Sequence, residues 1–182
     1  MDFLGESVVV TRDKQTILQA DRVILPGVGA FGDAMEKIRR YHLESVLKEV
    51  VQNGTPFLGI CLGLQLLFDS SEETPNAKGL GILKGKIVHI PDAKLKVPQI
   101  GWNSLHFPKN GRLFEGISEN AFVYFVHSYY LQAEEDIVTA TTEYGVEIHA
   151  SVEKGNVFAC QFHPEKSSKV GLRMLENFIR VN

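Results

Sequence analysis

The chain of 182 residues is 44% hydrophobic, which suits one compact domain with a full-sized core. Its net charge of -3, with acidic and basic residues interspersed, argues against a nucleic-acid-binding surface. The apolar runs are too short to span a bilayer and the N-terminus is too polar for a signal peptide, so we expect a single-domain cytoplasmic protein.

The first third of the chain alternates short apolar segments with longer helical patterns. The predicted strands are residues 7–11, 22–25 and 56–60. Between the second and third of these, apolar residues at near-helical spacing predict one amphipathic crossover helix over 31–52. This alternation is typical of an α/β domain built in layers on a mainly parallel sheet.

The second half of the chain changes to short strands separated by turns. Five strands are predicted there, at residues 86–90, 120–126, 137–142, 148–152 and 157–162. We expect them to form a β-rich layer folded on the sheet. A last amphipathic helix is predicted over residues 168–181.

Cys61 lies in a Gly-x-Cys-x-Gly turn that joins an apolar strand to a predicted amphipathic helix. The small residues Gly59 and Gly63 allow a sharp turn, which exposes the thiol at the head of the helix as in a nucleophile elbow. The N–H of Leu62 would point to a developing oxyanion, and Gln65 shares the face of Cys61 one helical turn later. The alternative is a buried structural cysteine.

A cysteine nucleophile needs a base, and His163 has the best setting of the six histidines. It lies at the end of an apolar strand, where open α/β sheets bind ligands, and Pro164 ends the pairing there. Glu165, two residues further, can orient the imidazole. Alternation along the strand turns Cys160 away from His163, which indicates core packing. No pair of histidines or cysteines has metal-ligand spacing, so we expect neither metal nor cofactor.

A glycine loop, Pro26-Gly27-Val28-Gly29, follows the second predicted strand and precedes the crossover helix. Its glycines permit an unusual backbone path, so Val28 and Gly29 are candidates for the second oxyanion donor. By itself the loop is a weak motif and also fits a phosphate-binding turn. It lacks the Gly-Lys-Ser/Thr ending of a P-loop and the full dinucleotide fingerprint.

Five segments in this order resemble the class I glutamine amidotransferases, and nearly the whole chain is covered. They are Pro26-Gly-Val-Gly-Ala-Phe31, Gly59-Ile-Cys-Leu-Gly-Leu-Gln65, Gly101-Trp-Asn103, Val123-Tyr-Phe-Val-His-Ser-Tyr-Tyr130 and Gln161-Phe-His-Pro-Glu-Lys-Ser167. The first, third and fourth are similar to the members that serve imidazole glycerol phosphate synthase. The resemblance implies a flavodoxin-like three-layer α/β sandwich with a Cys61, His163, Glu165 triad.

The resemblance also implies an activity and a partner. Glutamine would be hydrolysed to glutamate, and the ammonia would pass to a cyclase subunit in a heterodimer that makes imidazole glycerol phosphate. Gly27, Gln65, Ser128 and Tyr129 would hold the substrate. Trp102 and Lys166 would face the partner, and relative to the family the N-terminal strand and helix would be absent.

Three other functions remain open at this point. Another class I amidotransferase shares the triad but usually carries Pro-Gly-Gly-Pro where this chain has Pro26-Gly-Val-Gly29. A regulatory homologue that has lost catalysis would rarely keep all three triad residues. A general cysteine hydrolase or peptidase would act on peptides.

Overall fold

The structure is a computed structural model that describes residue 1, residues 4–91 and residues 95–181. Five helices are described, namely α1 (Lys14–Leu18), α2 (Phe31–Arg40), α3 (Glu44–Gln52), α4 (Leu62–Leu66) and α5 (Ser168–Ile179). The strands are β1 (Val23–Gly27), β2 (Phe57–Cys61), β3 (Ser70–Ser71), β4 (Gly85–His89), β5 (Gln99–Ser104), β6 (Phe122–His127), β7 (Tyr129–Ala133), β8 (Val138–Glu143), β9 (Glu147–Lys154) and β10 (Val157–Cys160). Two short 3₁₀ turns cover Arg112–Phe114 and Pro164–Lys166.

One sheet forms the centre of the fold, in the order β1-β2-β10-β9-β7-β4-β3, with β8 paired to β9. The strands β1, β2 and β10 are parallel neighbours, whereas β9, β7 and β4 continue the sheet in antiparallel pairs. The expected α/β class is confirmed. The second half does not form a separate layer, because five of its described strands belong to the same sheet and only β5 and β6 pair apart from it.

Alternation along the central strands divides the core into two sides. On β2 and β10, Phe57 and Val157 belong to the core that packs under α2, α3 and α4. Their neighbours Leu58 and Phe158 belong to the core on the other side, which α5 and β6 cover. Because successive strand side chains point to opposite faces, both faces of the sheet are buried and three layers result.

The predicted crossover helix is two helices. The chain leaves α2 at Tyr41, and His42 adopts a left-handed backbone with φ 53° before α3 begins. The N–H of Leu43 returns to the carbonyl of Ile38 at 2.9 Å, which closes the first helix. The apolar spacing runs through this break, so the periodicity alone gave one continuous helix.

The predicted strand over residues 7–11 is also wrong. Val8, Val9 and Val10 have no regular secondary structure and are exposed to solvent; the exposed fraction of Val10 is 99%. A β-prone sequence forms a strand only against a partner that supplies a hydrogen-bond ladder. In the described part of the chain, nothing pairs with this segment, and β1 pairs with β2 alone.

Candidate active site

Cys61 ends β2 and begins α4 with φ 55° and ψ -111°, a strained backbone for a residue with a side chain. Parallel pairing places Gly27 of β1 beside Cys61, so the glycine loop starts next to the thiol. The helix that follows is only five residues long and is buried on every side, so its predicted amphipathic character is wrong. The sharp strand-to-helix turn is present as expected, but the thiol that it was expected to expose is buried, with Cys61 only 8% exposed.

The elbow glycines serve close packing rather than left-handed geometry. A Cβ on Gly63 would lie 1.8 Å from the carbonyl oxygen of Leu25 on β1, well inside van der Waals contact. One on Gly59 would lie 2.8 Å from the carbonyl of Gly63, and one on Gly27 would lie 2.9 Å from Leu62 Cβ. The left-handed backbone belongs to Cys61 itself, and the glycines let α4 lie directly against β1 and β2.

His163 lies next to Cys61 and is oriented by Glu165. Its Nδ1 is 2.7 Å from Glu165 Oε1, which leaves Nε2 for the thiol. The hydrogen bond with the Cys61 side chain and then the one with Glu165 raise the pKa of His163 to about 9, against the opposing effect of burial. These two contacts favour an imidazolium, the form that pairs with a thiolate.

The backbone around His163 is fixed by strand β6. The His163 N–H donates to the Tyr124 carbonyl at 2.9 Å. The Ser167 hydroxyl accepts from the Tyr124 N–H at 3.0 Å and donates to the His163 carbonyl at 2.7 Å. Ser167 is fully buried, so this turn is held without help from solvent.

The glycine loop projects from the end of β1 beside the thiol. Val28 is 83% exposed and Gly29 has φ 90°, a conformation that favours glycine. The loop is anchored where α2 begins, because the Glu73 carboxylate accepts the Phe31 N–H at 2.7 Å. Glu73 was missed by sequence reasoning, since it lies 42 residues beyond Phe31 in a polar segment without a recognisable pattern.

A buried row of amides and an imidazole joins the thiol to β5; sequence reasoning named Gln65 and Tyr129 as site residues but missed the other members. Gln161 Nε2 is 3.8 Å from Cys61 Sγ, and Gln161 Oε1 accepts from Gln65 Nε2 at 3.0 Å. Gln65 Nε2 also donates to the Tyr129 carbonyl at 3.2 Å, and His127 Nδ1 lies 2.8 Å from that same oxygen. His127 Nε2 is 2.7 Å from the Gln99 carboxamide. The structure therefore brings Gln65 and Tyr129 into one network, as expected for neighbours in a site.

His127 is close to the triad but differs from His163 in its charge. Burial lowers the pKa of His127 to about 4, partly opposed by the Tyr129 carbonyl and reinforced by the charge of His163. A neutral imidazole with its proton on Nδ1 satisfies the Tyr129 carbonyl, and its Nε2 then requires Gln99 to turn its NH₂ group, rather than its oxygen, towards the ring. Near neutral pH the site therefore holds one charged and one neutral histidine.

The β5–β6 hairpin presents an exposed apolar face. Ile100 and Trp102 on β5 are 61% and 52% exposed, and Phe122 on β6 is 56% exposed. Trp102 packs edge-to-face on Tyr124 with ring centroids 6.0 Å apart. Lys166 is exposed on the turn that carries His163 and Glu165. Ser128, between β6 and β7, accepts the Ile90 N–H through its carbonyl at 2.9 Å.

Three further observations concern metal sites, membrane helices and the second cysteine. Among the described residues, no three His, Cys, Asp or Glu side chains converge as a metal ion would require. No helix in the same part of the chain is long and apolar enough to cross a membrane. Cys160 is only 1% exposed, and burial raises the pKa of its thiol well above the ordinary value, which makes it a poor nucleophile.

Comparisons with known proteins agree with this geometry. The family model "Glutamine amidotransferase class-I" matches residues 5–181. A protein of Moorella thermoacetica named imidazole glycerol phosphate synthase subunit HisH is 52% identical over 179 residues, covering 98% of this chain and 85% of its own. The Methanocaldococcus jannaschii protein of the same name is 47% identical over 178 residues, which cover 98% of this chain and 89% of that protein.

Solved structures agree on the fold. One described as a glutamine amidotransferase superposes with a TM-score of 0.74 at 22% identity, covering 97% of this chain and 89% of its own. The glutaminase domain of Trypanosoma brucei CTPS, with bound acivicin, gives a TM-score of 0.65 at 15% identity, with coverage of 93% and 75%. At such identities the likeness establishes the architecture.

Proposed function

The chain belongs to the class I glutamine amidotransferase family, and from that premise we propose that it is the cytoplasmic glutaminase subunit of an imidazole glycerol phosphate synthase. It would hydrolyse glutamine to glutamate and deliver the ammonia to a cyclase partner in histidine biosynthesis. The observation that carries the proposal is the 2.7 Å hydrogen bond between His163 Nδ1 and Glu165 Oε1, in a site where the Cys61 side chain is the first cause of the raised pKa of His163. The identity of 52% to a HisH subunit supports the choice of pathway.

The triad geometry supports a two-step thioester mechanism. The Cys61 thiolate attacks the side-chain amide carbon of glutamine, and the carbonyl oxygen becomes an oxyanion. The His163 imidazolium gives its proton to the nitrogen as the C–N bond breaks, which releases ammonia and leaves a thioester. His163, now neutral, takes a proton from water, whose oxygen attacks the thioester and releases glutamate. Glu165 holds the imidazole in the required tautomer throughout.

Oxyanion stabilisation is assigned to two backbone segments. Leu62 follows the nucleophile directly, and the Val28–Gly29 segment leaves β1 beside it, as the pairing of Gly27 with Cys61 supports. The exposure of Val28 means that little of the molecule packs on the loop. A partner that covers the loop would therefore complete this half of the oxyanion hole and raise the rate.

Substrate binding is assigned to Gly27, Gln65, Ser128 and Tyr129. Gln65 has both protons of its amide nitrogen directed to protein acceptors, Gln161 Oε1 and the Tyr129 carbonyl. Its Oε1 is thus the atom left to receive a donor from the substrate, and the α-ammonium of glutamine is such a donor.

The partner is assigned to the exposed face of the β5–β6 hairpin. Ammonia that escaped to water at neutral pH would be protonated and would stop being a nucleophile, so the mouth of the site needs a cover. Ile100, Trp102 and Phe122 offer an apolar surface beside the triad turn, and Lys166 adds a charge. A cyclase docked there would seal the exit and form the heterodimer.

The test is glutaminase activity measured with and without the cognate cyclase subunit and its phosphoribosyl ligand. We expect low activity from the chain alone and at least a hundredfold stimulation by the loaded partner, which corresponds to about 2.7 kcal/mol. Trp102→Ala should weaken association, whereas Tyr41→Ala, an exposed aromatic between α2 and α3, should not. Full activity of the isolated chain, unchanged by the cyclase, would overturn the coupled function.

A further inference from the structure

Gln161 is a polar side chain without exposure, placed against the thiol. It follows β10, between the buried residues Cys160 and Phe162, and has no accessible surface. Burying a carboxamide is costly unless its donor and acceptor groups are paired. Both ends of Gln161 are paired, Oε1 with Gln65 Nε2 at 3.0 Å and Nε2 with Cys61 Sγ at 3.8 Å.

The Tyr129 carbonyl fixes the direction of this row of hydrogen bonds. A backbone carbonyl can only accept, so Gln65 must turn its NH₂ group towards Tyr129. The same NH₂ group faces Gln161, which must therefore present Oε1 to it. The NH₂ group of Gln161 is then left for the sulfur. The opposite orientation of either amide would put two donors or two acceptors face to face.

The sulfur of Cys61 has a second polar neighbour of opposite character. The Val126 carbonyl oxygen is 3.9 Å from Sγ and can only accept a hydrogen bond, which suits a thiol with its proton. The Gln161 NH₂ can donate to sulfur, which suits a thiolate. Unlike a histidine, a carboxamide donor does not titrate, so it stabilises the anion without competing for the proton.

We propose that Gln161 is a catalytic residue that stabilises and orients the Cys61 thiolate through its Nε2–H, and that Gln65 holds Gln161 in the donating orientation. The proposal rests on the proposed role of Cys61 as the nucleophile. Gln65 would then have two roles in one network: it contacts the substrate, and it orients the Gln161 amide that donates to the nucleophile. Gln161 itself is too buried to contact the substrate, so it acts on the chemical step.

The experiment uses two variants in a Cys160→Ala background, so that Cys61 is the one cysteine left. Gln161→Met keeps side-chain length and removes the donor. Gln161→Glu keeps the shape and an oxygen for Gln65, but places a carboxylate against the sulfur near neutral pH. Gln132→Met, on the exposed side of β7, is the matched control. Alkylation of Cys61 by iodoacetamide is followed by intact mass across pH 5–9, and glutaminase kcat and KM are measured with the loaded cyclase.

We expect Gln161→Met to slow alkylation and lower kcat by roughly tenfold to a hundredfold, the range given by a hydrogen bond to a charged group, with KM changed less than threefold. Gln161→Glu should be slower still at pH 8 and recover relative to Gln161→Met as the pH falls, because a protonated carboxyl can donate. Its retained shape makes it decisive even where Gln161→Met fails to fold.

Wild-type alkylation rates in both variants, or equal slowing by Gln161→Glu at every pH, would overturn the proposal, since a purely structural role has no such pH dependence. Failure of the proposed function would look different. In that case the Cys61→Ala variant would keep its glutaminase activity. Alkylation of Cys61, measured in the Gln161 variants that retain this cysteine, would still report whether Gln161 acts on the thiol.

Discussion

Replacing His127 by Asn should flatten the dependence of folding stability on pH. His127 is buried beside the triad, where desolvation holds its pKa at about 4 instead of 6.5. Between about pH 4 and pH 6.5, His127 is therefore mostly neutral in the folded chain and mostly protonated in the unfolded chain. A buried histidine whose pKa is lowered stabilises the fold at a pH above its ordinary pKa of about 6.5, and that stability is lost as the pH falls from about 6.5 towards 4. Asn retains a donor for the Tyr129 carbonyl but does not titrate.

The size of the effect follows from the two pKa values. At pH 5 the unfolded imidazole is almost fully protonated, whereas about a tenth of the folded one is. The linkage relation gives a loss of about 2 kcal/mol in the free energy of unfolding between pH 7 and pH 5. The assay is urea unfolding followed by far-ultraviolet circular dichroism at both pH values, in the wild-type chain and in His127→Asn.

The comparison of slopes isolates His127 from other groups. The pKa of His149 is also lowered by burial, and its neutral Nδ1 accepts the Ala133 N–H at 3.1 Å. His149 therefore contributes equally to the pH dependence of stability in the wild-type chain and in His127→Asn. His42→Asn is the control, because His42 is exposed and Asn tolerates its left-handed backbone. A stability loss from pH 7 to pH 5 that is equally large in His127→Asn and wild type would refute the reasoning.

Three further predictions concern the nucleophile and its base. Cys61→Ala should abolish glutamine hydrolysis and labelling by a reactive glutamine analogue, whereas Cys160→Ala should leave both nearly intact; equal labelling of the two thiols would contradict this. Gly63→Ala should destabilise the fold by at least about 1–3 kcal/mol in urea unfolding, because its Cβ would lie 1.8 Å from a β1 carbonyl oxygen. Glu165→Gln should remove part of the rise in the pKa of His163 and move the alkaline fall of glutaminase kcat to lower pH, because His163 must be protonated to give its proton to the leaving nitrogen, with a smaller loss of kcat than His163→Ala; an unchanged pH profile of kcat would argue against the orienting role.

Much of the fold follows from local pattern. The strands β2 and β10 are continuous apolar runs bounded by turn residues, and both were expected because a strand buried on two faces needs such a run. The break between α2 and α3 was missed because it depends on the left-handed backbone of one histidine, to which hydrophobic spacing is blind. The strand β7 was missed because its pairing with β4 is set by tertiary contacts.

The site was read best where its chemistry is local in sequence. His163 and Glu165 are two residues apart, and Cys61 lies in a turn with its own signature. Gln161 was missed although the signal was present: the alternation that turned Cys160 away from His163 places Gln161 on the histidine side, and a carboxamide in an apolar strand needs a buried partner. His127 and Gln99 could not be paired from sequence, because their contact spans two strands that pair only in the folded chain.

Strand β6 explains how a covering partner and the chemistry can share one small region. One edge of β6 pairs with β5 and so builds the apolar face that carries Trp102. Its other edge offers the Tyr124 carbonyl to the His163 N–H, and the Val126 carbonyl lies 3.9 Å from Cys61 Sγ. The proposed docking face and the backbone contacts to His163 and Cys61 therefore share strand β6, so a partner seated on that face would lie beside the residues proposed to do the chemistry.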